Sequence, residues 1–151
     1  MMFFKTMLAA ALLTAPIAAE ARDWRFAGQA QGAVMIFIDV DSIDASAGPY
    51  PRGMTLMVLA SEDGGFAAYE ALLEFDCDAH RRRGIEGRGY DGDGAVVQTA
   101  GAENRWNEQQ PGRLLSNAED VICGRQALTG RSYGSGVPIA EGRAILSGEQ
   151  P

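Results

Sequence analysis

The chain has 151 residues, with 20 acidic against 13 basic side chains and a formal net charge of −7. Hydrophobic residues make up 46% of it, which excludes a disordered chain too poor in apolar side chains to bury a core. The acidic balance excludes sequence-independent binding to nucleic acid or to anionic lipid headgroups.

Residues 1–21 read as an export signal. Phe3, Phe4 and Lys5 lead into the apolar run Met7–Leu13, which closes on Ala18, Ala19 and Ala21. Ala19 and Ala21 supply the small residues that signal peptidase requires before its cleavage point. The apolar run is far shorter than the roughly 20 residues of a membrane span. No cysteine follows the signal core to accept a lipid, so no stable membrane anchor is expected after cleavage. The expected mature chain starts at Arg22, in the periplasm or secreted. Cleavage removes Lys5 and Glu20, one charge of each sign, and every remaining fixed side-chain cation is an arginine.

The mature length suits one domain, expected over residues 22–128. Trp24-Arg-Phe-Ala reads as a first strand, turning through Gly28–Gly32. In the next strand Val34, Ile36, Ile38 and Val40 share one face while Met35 and Phe37 point to the other, the pattern of a strand covered on both sides. Gly48-Pro-Tyr-Pro is loop chemistry, and Met54–Ala60 is a further apolar run ending in the hairpin turn Ser61-Glu-Asp-Gly-Gly. Phe66–Cys77 is ambiguous: its first half has helix propensity, whereas its second half alternates as a strand. Gly89-Tyr-Asp-Gly-Asp-Gly predicts a tight turn before a short strand over Ala95–Thr99. Ser116-Asn-Ala-Glu119 has the capping-box spacing, with Ala118, Val121 and Ile122 as a short apolar stripe and Gly124 as a stop. Residues 129–151 are Gly- and Ser-rich at their start and read as an irregular C-terminal tail. The fold class is therefore α+β, dominated by antiparallel sheet, with one late helix.

Cys77 and Cys123 are the only thiols, and export would place them where disulfides persist. Their bond would staple the helix to the sheet. A zinc site is disfavoured, because a single His joins two distant cysteines. A catalytic triad would have to use His80, the lone imidazole, which lies beside three arginines, and no nucleophile-elbow pattern occurs. Asp39, Asp41 and Asp44 miss the calcium-loop spacing, and Asp91-Gly-Asp-Gly is an incomplete version of it. No catalytic residue, metal ligand or cofactor is assigned. The sharpest charge feature is Arg81–Arg83, reinforced by Arg88. The run reads either as a solvated sheet edge or as a basic face able to dock an acidic protein partner.

Taken in order, these landmarks resemble the surface-adhesin protein E family of small exported bacterial proteins. The matching elements are Trp24, a strand ending in Asp39 before Ser42-Ile43, and Phe75-Asp-Cys77 leading into the arginines. Tyr90-Asp-x-x-Gly94, Trp106, Pro111-Gly112 and the helix with Val121 and Cys123 complete it. The resemblance implies a meandering antiparallel sheet of about six strands with one helix, and an adhesin that binds host extracellular-matrix and serum proteins. It makes the expected function a non-enzymatic binding module that presents a sheet face to a protein partner. The alternative is an inhibitor of a periplasmic or host hydrolase acting through a protruding loop near Gly48–Arg52.

Overall fold

A computed structural model describes residues 21–149 of the chain. The expected leader up to Glu20, including Ala19, lies outside the described residues, so cleavage beside Ala21 is not addressed by the fold. The strand-like segments become β1 (Trp24–Ala30), β2 (Val34–Asp44), β3 (Arg52–Asp63), β4 (Phe66–Asp76) and β6 (Val96–Ala100), and two strands that the sequence did not announce join them, β5 (Arg81–Tyr90) and the two-residue β7 (Asn107–Glu108). Helix α1 spans Ser116–Ile122 and α2 spans Ile139–Leu146. Strands β1 to β6 pair in sequence order as an antiparallel meander, and β7 pairs with the start of β5. Among the described residues no helix is long and apolar enough to cross a membrane.

The two-sided apolar pattern of β2 decides how the layers stack. Ile36 and Ile38 join Ala27, Ala118 and Val121 in one buried cluster, so α1 covers that face. Met35 and Phe37 join Trp24, Leu56, Val58 and Ile139 in another, so α2 covers the opposite face. Each fully buried side chain of this size contributes roughly 1.5–3 kcal/mol of transfer free energy. Both helices approach closely because a glycine lies at each contact, Gly53 on β3 beneath α1 and Gly142 on the sheet-facing side of α2. A Cβ on Gly53 would lie 2.8 Å from the Ile122 side chain, and one on Gly142 would lie 3.0 Å from Val58 and 3.2 Å from Phe37.

The second helix corrects the expectation of an irregular tail over 129–151. Ile139 is buried, and Tyr133 packs edge-on against Phe37 with ring centroids 5.0 Å apart. A short helix with few apolar residues carries a weak periodic signal, and it is the bare face of β2 that gives it somewhere to dock. The ambiguous Phe66–Cys77 segment is strand through Asp76, because pairing with β3 and β5 outweighs the helix propensity of its first half.

The capping box does not form. Leu115 occupies the cap position without a side-chain bond, and the Ser116 hydroxyl donates to the Arg113 carbonyl at 2.8 Å. The Glu119 carboxylate is taken instead by Arg125 and His80, each at 2.7 Å. Gly124, at φ 73°, does end the helix, and its N–H donates to the Val121 carbonyl. Cys77 and Cys123 are bonded, with Cα atoms 5.9 Å apart, and fasten the end of α1 beyond β4.

Candidate functional site

Strand alternation splits the arginine run between two faces. Arg81 and Arg83 stand opposite Asp76 and Glu74 on the α2 face, whereas Arg82 stands opposite Phe75, whose ring is buried on the α1 face. A register shift between Leu72 and Leu73 returns Arg88 to the α2 face, opposite Glu70. Strand β5 has β4 on one side and both β6 and β7 on the other. The solvated-edge expectation for these arginines is therefore overturned, since the strand that carries them lies inside the sheet.

On the α2 face the arginines clamp buried carboxylates. Glu74, 2% exposed, lies between its cross-strand neighbours: Arg52 donates to it at 2.7 and 2.9 Å, and Arg83 at 2.6 Å. Burial pushes its carboxyl upward, but the two guanidinium groups outweigh that and hold it below the usual carboxylate range. Arg81 binds Asp76 and lowers its pKa in the same way, chiefly by that hydrogen bond. Glu70, also buried, accepts from Arg22 at 3.0 Å, from the Tyr90 hydroxyl at 3.1 Å and from Arg88 at 3.4 Å. Burial, followed by the charge of Glu70, raises the Tyr90 phenol above its ordinary value. The Trp106 ring receives the Arg83 guanidinium at 4.7 Å and that of Arg81 at 5.7 Å, and Tyr50 meets its edge at 4.8 Å. Three of the four candidate arginines thus neutralise acids of their own sheet.

Arg82 differs. Its Nε donates to Gln109 at 3.0 Å, and among the described residues no carboxylate lies within ion-pair distance of it. It borders a cleft on the α1 face shared with Arg113.

The two sheet edges are treated unequally. The start of β1 is covered by the chain after α1: Trp24 N–H donates to the Gly134 carbonyl at 3.2 Å, Tyr133 N–H donates to the Trp24 carbonyl at 2.8 Å, and Arg25 bridges to Ser132. Among the described residues strand β6 has no such cover. All five of its residues are exposed, Val96 at 51% and Val97 at 52%, and the sequence Val-Val-Gln-Thr-Ala carries no charge. The sequence located this strand within a residue but gave no sign that it would end the sheet, because edge status depends on pairing order.

Other candidate groups are used structurally. His80 Nδ1 meets Glu119, and Ser116, which borders the same cleft, bonds to the Arg113 carbonyl, so no hydroxyl–imidazole pair is set up. Asp39 accepts the N–H groups of Asp23 at 2.9 Å and Asp41 at 3.2 Å; Asp44 accepts from Ser46 and Asp91 from Asp93 and Ala95, as turn-forming residues do. At the Gly48–Arg52 loop the Pro51 carbonyl accepts from Phe75 N–H at 3.0 Å, tying its end to the sheet.

A family model described as Surface-adhesin protein E matches residues 24–124. The match runs from the first residue of β1 to the glycine after the disulfide, so it takes in the whole sheet and α1 but not α2. No curated protein and no solved structure matches the chain significantly.

Proposed function

The chain belongs to the surface-adhesin protein E family, and from that premise we propose that it is an exported, non-enzymatic binding module that presents its sheet to a protein partner. The family supports an adhesin-like role at the surface or outside the cell. The observation that carries the finer reading is the bare end of the sheet at β6. Natural sheets guard a free edge with charges, proline or a covering segment, because its unpaired N–H and C=O groups recruit other strands. Here the start of β1 is covered, whereas among the described residues β6 is unguarded, with two half-exposed valines beside each other. An extended segment of a partner adds to such an edge through main-chain hydrogen bonds, while side-chain pockets on either face give selectivity.

The test is surface plasmon resonance of the purified protein over immobilised extracellular-matrix and serum proteins, alongside a Val97→Lys/Thr99→Lys variant. The expected result is saturable binding to at least one of them, weakened about tenfold or more by lysines on the edge, with the melting temperature unchanged. Absence of binding, or a variant that binds as well as the parent, overturns the reading.

A further inference from the structure

Arg82 and Arg113 both line a cleft of about 450 Å³ between the sheet and the segment preceding α1. Its apolar lining comes from Met57, Leu114 and Leu115. The volume falls in the range of roughly 300–1,000 Å³ typical of sites that enclose small groups. Among the described residues both arginines hydrogen-bond only through Nε: Arg82 donates to Gln109 at 3.0 Å and Arg113 to Gln110 at 3.2 Å. Among the described residues their terminal nitrogens find no carboxylate, which sets them apart from the arginines of the α2 face.

Gln109 supplies the independent observation. It lines this cleft, is only 8% exposed, and its amide Nε2 is buried without an acceptor. A simple amide flip does not cure this, because Arg82 Nε–H needs the oxygen that Gln109 turns toward it. A buried donor with no acceptor costs roughly 1–3 kcal/mol, and a turn of the side chain that presents Nε2 to the cleft would let an acceptor on a ligand satisfy it. Glu108, also on the lining, is the one acid there and leaves the site with a net positive charge in an acidic protein.

We infer that this cleft binds a carboxylate attached to an apolar body, and that its occupant is the C-terminal residue of a partner polypeptide. The guanidinium groups match a carboxylate in charge and in fork geometry, the Gln109 amide offers a further donor, and Met57, Leu114 and Leu115 accept an aliphatic side chain. The inference rests on the protein-partner reading above and adds the chemistry that the partner must bring.

Isothermal titration with an acetylated tetrapeptide, Gly-Gly-Gly-Leu with a free carboxylate, tests it against the same peptide as its C-terminal amide and against free octanoate. The peptide acid is expected to bind, with the amide at least about tenfold weaker and octanoate weaker than the peptide acid. Arg82→Gln should reduce binding of the acid about tenfold, Arg82→Lys less, and the Gln109 side-chain amide resonances should shift on titration. Equal binding of acid and amide, octanoate binding as well as the peptide, or an unaffected Arg82→Gln variant that melts like the parent overturns the inference. Failure here with matrix-protein binding intact leaves the edge-docking reading standing, whereas peptide binding without any matrix-protein binding does the reverse.

Discussion

Replacing Glu74 with glutamine removes the charge at the centre of the α2-face lattice while keeping the side-chain shape. Glu74 is 2% exposed, and its partners Arg52 and Arg83 have side chains 37% and 32% exposed. Breaking an ion pair buried on both sides costs about 3–5 kcal/mol. The arginines can still reach water, so that figure is discounted to about 2 kcal/mol. For a domain of this size the loss corresponds to a fall in melting temperature of about 6–8 °C at neutral pH. The pH dependence supplies a second signature. Because the folded-state pKa of Glu74 is depressed, its contribution is fully present above the unfolded value of about 4.3 and disappears as pH falls through the folded value. In thermal melts followed by circular dichroism, the gap between parent and Glu74→Gln should therefore narrow as pH falls from 7 to 3. A variant that melts within a degree of the parent at pH 7, or a gap that persists unchanged at pH 3, refutes the clamp.

Two further predictions concern what holds the helices on the sheet. Replacing Cys77 and Cys123 with alanine frees a loop with a sequence separation of 46, which the chain-entropy model values at about 4 kcal/mol; urea titration should show the midpoint falling with the folded signal retained in buffer. Gly142→Val forces a side chain into Val58 and Phe37, so α2 should lift from the sheet at a cost of about 1–3 kcal/mol. Tryptophan fluorescence should then report increased solvent exposure of Trp24, which is fully buried beside that helix.

Much of the sheet was legible because its apolar strands are separated by Gly- and Pro-rich turns, but β5, with its arginines and glycines, and the two-residue β7 were not. Even the two-sided cover of β2 could be read from Ile36 and Ile38 against Met35 and Phe37. What supplied the second cover could not, since Ile139 and its neighbours have too little periodicity to announce a helix without the surface that it meets. The capping box failed for a related reason: Glu119 has the right spacing, but Arg125 and His80, distant or unmarked in sequence, compete for its carboxylate and win it. The arginine run shows the limit of charge patterning. Alternation predicts that Arg81 and Arg83 face away from Arg82, yet only the register with β4 reveals that Glu74 and Asp76 await the first two. Arg82 kept its charge available because Phe75 stands opposite it. Trp106 gave no local signal of its stacking on Arg81 and Arg83, since the loop carrying it returns to the sheet through β7.

The β6 end of the sheet is where a protein partner is expected to dock. Backbone amide hydrogen exchange, measured with and without the matrix or serum protein that the chain binds most tightly, locates the contact strand by strand. New protection is expected at those amides of Val96–Ala100 that do not pair with β5, with the Trp24 amide, already bonded to the Gly134 carbonyl, unchanged. Protection confined to β1 or to α2, with none along β6, would contradict it.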